Sequence, residues 1–191
     1  ITQNFDGVTP PTLPAGWTTT QDSGTAITWA TTATGPNSAP NSAFANDPAT
    51  VNMSSLVTPS IPISSSSAQL KFKNKYITES TFDGMVLEIA NPAVAAGAFQ
   101  DIIFAGGSFV SGGYNATIST AFMSPIAGRM AWSGTSAGGY IDTVVNLPGT
   151  ANGNSIQLRW RMASDNSVAA TGVNIDDVQI VSSFNCAPII S

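Results

Sequence analysis

The chain has 191 residues, of which 42% are hydrophobic and only 9% charged, and a formal net charge of −5. Its length favours a single domain with one substantial core. The acidic balance excludes a nucleic-acid-binding protein, which needs a basic surface, and no apolar run approaches the ~20 residues of a membrane span.

The first third of the chain is polar and irregular. Residues 31–50, TTATGPNSAPNSAFANDPAT, read as a long loop region. A loop of that length in a compact domain is usually functional or held in place by something. We therefore expect this region to supply part of a site.

Short strand-like runs dominate the rest of the chain. In AQLKFKNKYIT, apolar and amide side chains alternate with lysines, which predicts a half-buried strand. Similar runs, bounded by Gly, Pro, Asn or Ser, are GMVLEIA, DIIFAGG, IDTVVNLP, SIQLRWRMAS and VNIDDVQIVSS. They predict an all-β fold with negligible helix, a jelly-roll β-sandwich of two antiparallel sheets.

The same alternation predicts which side chains are buried. Those expected in the core are Leu70, Phe72, Leu87, Ile89, Val144, Leu158, Trp160, Val178 and Ile180. The basic residues alternate with them, so we expect Lys71, Lys73 and Lys75, and likewise Arg159 and Arg161, to face solvent.

The two ends suggest a piece of a larger protein. The chain begins at Ile1 without an initiator Met or a signal peptide. We expect residues 1–183 to form one β-sandwich domain and residues 184–191 to begin a linker or the next module. The single cysteine, Cys186, lies in that last segment and cannot form an internal disulfide.

A set of motifs in a fixed order resembles a known family. These are NFDG, LPAGWTT, NSAFANDPA, SSLVTPSI, AQLKFKNKY, FDGMVLEIA, GGYIDTVVNLP and IQLRWRMASDNSVAATGVNIDDVQI. The chain resembles the MAM-like jelly-roll module of bacterial secreted and surface proteins. It is similar to the cleaved-adhesin domains of gingipains and to the accessory domain of immune-inhibitor-A-type metalloproteases.

The resemblance implies a secreted, non-enzymatic β-sandwich that commonly carries structural calcium. Many members have an aromatic-rich segment before the final Ile-Asp-Asp, where this chain has Gly172, Val173 and Asn174. The motif NIDDV is instead similar to the last strand of calcium-stabilised carbohydrate-binding jelly rolls.

Two adjacent acids in the last apolar strand, Asp176 and Asp177, are the main indication of calcium. A bare carboxylate in such a strand is costly, and calcium would neutralise it while accepting six to eight oxygen ligands. In related jelly rolls the resemblance implies a site joining the first strand to the last, which nominates Asp6 with Asp176. Asn46 and Asp47 of the early loop would add an amide and a second carboxylate.

Each of these acids also has a purely structural interpretation. Asp47 could cap the turn before Pro48, and Asp177 could face solvent. We expect Asp165 of ASDNS to be a turn residue. Glu79 and Asp83, the two acids of ESTFDG, favour a hairpin turn over a second ion.

The residue types argue against an enzyme. The chain has no histidine, which removes the usual general base, the usual zinc ligand and every Ser-His-Asp triad. The lone cysteine has no histidine to activate it, and no carboxylate pair has a spacing that selects a glycosidase site.

Two binding functions remain. The first is a calcium-stabilised adhesion or interaction module of a larger secreted or surface protein, monomeric as a domain, whose partner is a glycan or a protein on a surface. The alternative is a carbohydrate-binding module that targets a neighbouring enzyme to a polysaccharide. Its candidate contacts are aromatics in or near Gly/Ser-rich loops, Trp29, Tyr114, Trp132 and Tyr140, each of which could equally belong to the core.

A third interpretation is a covalently cross-linked stalk domain. Lys71, Lys73 or Lys75, near Asn74 and Glu88, supply the residue types of an isopeptide bond. We expect no such bond.

Overall fold

The structure is a computed structural model that describes residues 1–24 and 28–182. These residues form fifteen strands, paired antiparallel throughout, and two short 3-10 turns at Ala95–Gly97 and Gly149–Ala151. The first eight strands are β1 (Thr2–Gln3), β2 (Thr18–Gly24), β3 (Ala30–Thr32), β4 (Ser42–Asp47), β5 (Asn52–Val57), β6 (Ile61–Pro62), β7 (Ala68–Ile77) and β8 (Gly84–Ala90). The others are β9 (Phe99–Asp101), β10 (Ser108–Ser111), β11 (Ala116–Thr117), β12 (Met130–Ala131), β13 (Ile141–Asn146), β14 (Ser155–Ser164) and β15 (Ala170–Ser182).

Two sheets form a sandwich. Sheet A has the strand order β10, β13, β7, β15, β4, β3, with β1 beside β15. Sheet B has the order β2, β5, β14, β8, β9, with β6 beside β14. The chain crosses between the sheets repeatedly, as at β7 to β8 and at β13 to β14. This arrangement confirms the predicted all-β sandwich of two antiparallel sheets with negligible helix.

Aromatic rings join the two sheets across the core. Phe72 of sheet A meets Trp160 of sheet B edge to face, with ring centroids 5.3 Å apart. Trp160 in turn stacks on Trp17 at 6.0 Å. Apolar side chains point inward at alternate positions of β7 and β14, which is why the period-two pattern in the sequence places these rings in the core.

The predicted core is confirmed at seven of its nine positions, and the other two are only partly buried. Leu70, Phe72, Leu87, Ile89, Leu158, Trp160 and Val178 are all buried. Val144 is only partly buried, because β13 pairs with β7 in a register that turns Val145 inward and Val144 outward. Ile180 packs against the core but is partly exposed near the end of β15.

The arginines of β14 differ from the predicted solvated pair. Arg159 and Arg161 lie on the outer face of sheet B, but their side chains are only 16% and 17% exposed. Both converge on Glu88 of the neighbouring strand, which is itself buried. The alternation correctly places both arginines on one face of β14. Their ion pairs, together with residues 112–133, shield that face from solvent.

Residues 112–133, here called the covering segment, lie over one end of that outer face. Ile118, Ile126 and Ala131 of this segment pack on Val86 of β8 and Ala163 of β14. Within it, β11 and β12 form a two-stranded hairpin. The covering segment therefore gives sheet B a second small apolar cluster on the side opposite the main core.

The isopeptide interpretation gains no support from the fold. Asn74 is buried on the inner face of β7, whereas Lys71, Lys73 and Lys75 alternate onto its other face. Glu88 lies on the outer face of the opposite sheet.

Two findings concern the limits of the domain. Among residues 1–24 and 28–182, no helix is long and apolar enough to cross a membrane. The predicted boundary after residue 183, the segment 184–191 and Cys186 lie outside the described residues.

Candidate metal centre

Four carboxylates from separate parts of the sequence meet at one end of the sandwich. Asp47 ends β4, Glu79 and Asp83 lie in the turn between β7 and β8, and Asp165 follows β14. Oxygens of Glu79, Asp83 and Asp165 all lie within 4.8 Å of one another. The carboxyl group of Asp47 lies within hydrogen-bonding reach of Asp83. We call these four residues the carboxylate cluster.

The β7–β8 turn is held in one shape by its own hydrogen bonds. The amide N–H of Asp83 donates to the carbonyl oxygen of Glu79 at 3.0 Å, which closes the turn. The hydroxyl of Thr78 donates to the carbonyl oxygen of Asp83 at 3.2 Å. These bonds fix the spacing between the two acids of the turn, Glu79 and Asp83.

Backbone amides orient three of the acids further. The N–H of Asp165 donates to Asp83 Oδ1 at 2.6 Å, and the N–H of Glu79 donates to Asp47 Oδ2 at 3.3 Å. Asp165 Oδ1 accepts the N–H of Ser167 at 2.8 Å, which makes the turn predicted from the sequence. In each of these three carboxylates one oxygen is thus engaged by the backbone.

The other oxygen of each acid has no donor. Asp47 Oδ1, Glu79 Oε2, Asp83 Oδ2 and Asp165 Oδ2 are buried and accept no hydrogen bond from the described residues. Asp47, Asp83 and Asp165 are each at most 1% exposed, so water does not solvate their carboxylates freely. Buried oxygens without partners are rare and costly, and four in one place require protons or a cation.

Burial changes the acidity of the cluster. Loss of hydration raises the pKa of Asp47 and Asp83 above the ordinary range, and the negative charge of Asp165 adds to both shifts. The pKa of Glu79 is raised by burial and by Asp165 in the same way. These shifts favour protonated acids, when no cation is bound, at a pH where most aspartates are ionised.

The acids predicted at the first and last strands have a different environment. Asp176 is fully buried, and its Oδ2 accepts the backbone N–H groups of Asn37 and Ser38 at 2.9 and 3.0 Å. Its Oδ1 accepts the N–H of Asp177 at 2.8 Å. Asp6 Oδ1 accepts the N–H of Asn41 at 3.0 Å. Both acids thus fasten the loop at residues 37–41.

Asp177 forms a bulge in β15. Its φ of +48° breaks the register between β15 and β7, and its carboxylate accepts hydrogen bonds from the side chains of Asn37 and Ser38 at 2.7 and 2.8 Å. The long polar loop therefore supplies hydrogen-bond donors to both carboxylates. Burial nevertheless raises the pKa of Asp176 to about 6. The predicted calcium bridge between Asp6 and Asp176 stays a prediction.

Asp176→Asn separates the two explanations for this acid. If the hydrogen bonds from the backbone are what matters, the substitution should cost about 1–3 kcal/mol of the free energy of unfolding, because a buried N–H loses a charged acceptor. That loss should be equal with and without calcium, as read from melting curves in both conditions. A loss present only in calcium would instead establish the bridge to Asp6.

Asn46 and Asp47 have separate environments. Asp47 belongs to the carboxylate cluster, whereas the adjacent side chain of Asn46 is exposed because β4 alternates between faces. Sequence reasoning found Asp47 but ranked Glu79, Asp83 and Asp165 as turn residues. The sequence did contain one indication of the cluster, because an acid lies beside the end of a predicted strand in three separate places.

The predicted ligand-binding aromatics also need correction. Trp29 and Trp132 are at most 1% exposed, and their Nε1 groups donate to the carbonyl oxygens of Ser54 and Gly112. Neither ring offers a face to a ligand, because each fills the space between the sheets. The burial of both rings agrees with the core alternative that the sequence left open for them.

The two tyrosines behave differently. The hydroxyl of Tyr114 accepts the N–H of Leu87 at 2.9 Å, while its ring lines a cavity described below. Tyr140 is partly buried and its hydroxyl donates to Gly35, which helps to hold the polar loop. A binding role for either stays a prediction.

The comparisons with known proteins concern the whole fold. The K3 cleaved adhesin domain of Lys-gingipain from Porphyromonas gingivalis aligns with a TM-score of 0.60 at 18% identity, over 96% of this chain and 98% of that chain. The K2 domain of Lys-gingipain gives a TM-score of 0.58 at 16% identity with the same coverages. The chain has the fold of a cleaved adhesin domain.

A carbohydrate-binding module shares the architecture more distantly. The structure of TmCBM61 in complex with β-1,4-galactotriose aligns with a TM-score of 0.52 at 8% identity, over 88% of this chain and 90% of that chain. No family model matches the chain, and a search of curated proteins found no significant match. At such identities the similarity to the cleaved adhesin domains confirms the predicted resemblance for the fold. The likeness to MAM-like and immune-inhibitor-A modules stays a prediction.

Proposed function

We propose that this chain is a non-catalytic, calcium-stabilised interaction module of a secreted or surface protein, and that its calcium occupies the carboxylate cluster. The observation that carries the proposal is the set of four buried carboxylate oxygens without donors. The adhesin-type fold supports an interaction role, and the absence of histidine argues against hydrolytic chemistry. The module would bind a protein or a glycan through a surface separate from the metal.

The donor set fits calcium chemically. Calcium is a hard cation that prefers carboxylate and carbonyl oxygens and accepts six to eight of them in flexible geometry. Four acids supply a formal charge of −4 against +2, which matches the excess of negative charge in tight calcium sites. The cluster contains no sulfur or imidazole, so its chemistry does not select zinc or copper.

The position of the cluster explains why a cation would matter for stability. It joins the end of β4, the β7–β8 turn and the end of β14, which belong to both sheets. An ion bound there would tie together elements that are far apart in sequence, and it would bind the folded state only.

Calorimetric titration of the calcium-free chain with calcium chloride tests the proposal. We expect one site in the wild type and a loss of at least about tenfold in affinity in Asp83→Asn, which keeps the shape and removes one charge. The matched control is Asp142→Asn, since Asp142 is exposed and pairs, among the described residues, with Lys73 at 2.7 Å. Absence of calcium binding by the wild type, or equal binding by Asp83→Asn, would contradict the proposal.

The pH dependence provides an independent prediction. Without a cation, burial raises the pKa of Asp47 to about 6 and that of Asp83 to about 8, from 3.8. Folded protein then binds these protons more tightly than unfolded protein, so its stability should fall as pH rises from about 4 to about 8. With calcium bound the acids are ionised, and acid displaces the ion.

Melting curves from pH 5 to pH 8 check this expectation. The difference in melting temperature between calcium-loaded and resin-stripped protein should be largest near pH 8 and should shrink toward pH 5. A difference independent of pH would mean that the ion binds elsewhere. Asp83→Asn should show almost no such dependence.

A glycan is the alternative partner. It is favoured by the architecture shared with TmCBM61, whose complex contains β-1,4-galactotriose. A glycan array probed with and without EDTA discriminates between the partners. Binding to several polysaccharides in calcium would favour the carbohydrate-binding module, whereas silence across a broad array would favour a protein partner.

A further inference from the structure

An apolar cavity lies where the edges of the two sheets meet. Its volume is about 540 Å³, within the range of ligand pockets. Its walls include the side chains of Ile103, Phe104, Phe109, Tyr114 and Met130. It is formed by the β9–β10 connection and the covering segment, and it contains none of the acids of the carboxylate cluster.

Three of the eight large apolar residues that are exposed in the described chain line this cavity. Phe104 is 80% exposed, Met130 48% and Ile103 45%. Scattered apolar residues on a surface are ordinary, but a contiguous patch beside a cavity marks an interaction site. The chain thus keeps a large apolar surface uncovered in one place.

The tip of the β9–β10 connection holds Phe104 in place. Asp101 Oδ1 accepts the N–H of Ile103 at 3.0 Å, and the N–H of Ala105 donates to the carbonyl of Asp101 at 2.9 Å. The N–H of Gly107 closes the loop onto the carbonyl of Ile102 at 2.8 Å. A tight turn therefore fixes the backbone at Phe104, so a partner would not have to order this loop.

The polar groups in the wall are already paired with one another. Asp101 Oδ2 accepts Arg129 Nη2 at 3.0 Å and the hydroxyl of Tyr114 at 3.1 Å. Arg129 Nη1 donates to Glu88 at 2.7 Å. A sugar needs partners for many hydroxyl groups, and these groups are largely used within the protein. The wall therefore suits an aromatic or branched aliphatic group better than a sugar.

The strand beside the cavity adds a second kind of contact. β10 ends the strand order of sheet A, with β13 on one side and no strand of the described residues on the other. An edge strand offers backbone N–H and C=O groups to an added strand. Phe109 of β10 lines the cavity, so a strand added here would lie beside it.

We propose that this cavity and the free edge of β10 bind an extended peptide segment of a protein partner, with an aromatic or branched aliphatic side chain in the cavity. The backbone of the peptide would add a strand to sheet A, and its side chain would cover Phe104 and Met130. This deepens the proposed interaction function by naming the class of partner, and it does not depend on bound calcium.

An NMR titration of ¹⁵N-labelled chain in calcium tests the proposal. The probe is the acetylated and amidated peptide Thr-Phe-Thr-Val-Thr, and the control peptide is Thr-Ser-Thr-Ser-Thr. We expect the first to shift backbone signals of residues 108–113 and the second to leave them unchanged. Phe104→Ser should weaken binding by about tenfold or more, the effect of losing one buried phenyl contact.

A matched variant and two alternative occupants of the cavity, a glycan and a second copy of the chain, serve as controls for this test. Phe122→Ser removes another exposed ring, one that meets Phe82 edge to face, and it should bind the peptide as the wild type does. Equal binding by Phe104→Ser would overturn the proposal. Shifts at residues 108–113 caused by β-1,4-galactotriose but not by the peptide would assign the cavity to a glycan. Shifts that follow protein concentration alone would assign it to a second copy.

The same titration on Asp83→Asn separates this proposal from the calcium proposal. If that variant binds the peptide as the wild type does but no longer binds calcium, the cavity is confirmed as the peptide site and the cluster as the metal centre. Peptide binding with normal calcium affinity in Asp83→Asn would reject only the metal centre.

Discussion

Removing calcium is expected to lower the melting temperature of the wild-type chain by about 5–10 °C. An ion that binds only the folded state contributes about 2.7 kcal/mol when its free concentration is about a hundredfold above the dissociation constant. Each kcal/mol shifts the melting temperature of a domain of this size by roughly 2–4 °C. Differential scanning calorimetry at pH 7.5, in calcium and after chelation by EDTA, measures the difference.

The variant Asp83→Asn distinguishes loss of calcium binding from general destabilisation, because its melting temperature relative to the wild type should depend on calcium. In calcium the variant should melt below the wild type, because one ligand charge is gone. Without calcium it should melt at or above the wild type, because the neutral amide avoids the cost of protonating a carboxyl group whose pKa burial raises to about 8. The two curves should therefore change order when calcium is removed.

Asp176→Asn is the contrasting control. Its carboxylate is satisfied by the backbone N–H groups of Asn37, Ser38 and Asp177, so its loss should be the same in both conditions. Equal melting of the wild type with and without calcium would reject the metal centre. Calcium dependence that disappears in Asp176→Asn but persists in Asp83→Asn would place the ion at the first and last strands.

The sequence predicts the strands better than it predicts the site, for a physical reason. Alternation of apolar and polar side chains is local, so β7 and β14 could be recognised with their buried faces, including Phe72 and Trp160. The error at Val144 arose where two valines stand side by side and alternation cannot choose between them. Only the pairing of β13 with β7 decides that Val145 is buried.

The carboxylate cluster depends on contacts that no local pattern encodes. Asp47, Glu79, Asp83 and Asp165 come from three turns far apart in sequence, and each acid has an ordinary turn interpretation. Asp176 is the converse case, since an acid pair in an apolar strand predicted a metal and the structure shows three backbone donors to this carboxylate. The calcium there stays a prediction. Which oxygen lacks a donor becomes visible only after folding.

The ion-pair network on the outer face of sheet B also escaped sequence reasoning. Arg129 comes from the covering segment, and it reaches Glu88 of β8, which Arg159 and Arg161 of β14 approach from the other side. Arg129 also pairs with Asp101 at 3.0 Å beside the apolar cavity. The network therefore fastens the covering segment to the sheet and supports one wall of the cavity.

Glu88→Gln is expected to destabilise the chain by about 3 kcal/mol at pH 7. Breaking a buried ion pair on one side costs about 3–5 kcal/mol, because the partner is left charged and unpaired. Here the side chain of Glu88 is 4% exposed and accepts Arg129 at 2.7 Å and Arg159 at 2.5 Å. The arginine side chains keep 16–28% exposure, so water offsets part of the cost and the lower end of the range applies.

The pH dependence of this variant distinguishes charge from packing. Burial alone would raise the pKa of Glu88, but the positive charges of Arg159, Arg161 and Arg129 outweigh it and lower the pKa below its ordinary value. A lowered pKa in the folded state gives stability that is complete above the unfolded value near 4.5 and is lost as pH falls through the folded value. The gap between wild type and Glu88→Gln should therefore be constant from pH 6 to 8 and should close in acid.

Urea denaturation at several pH values measures the gap, and Asp142→Asn serves as its control. Asp142 is 77% exposed and pairs with Lys73, so its loss should change the free energy of unfolding by less than about 1 kcal/mol. A loss in Glu88→Gln no larger than that of the control would show that the arginines are held by solvent and packing instead. A full loss should also weaken peptide binding at the cavity, because Arg129 would no longer fasten the covering segment that carries Tyr114 and Met130.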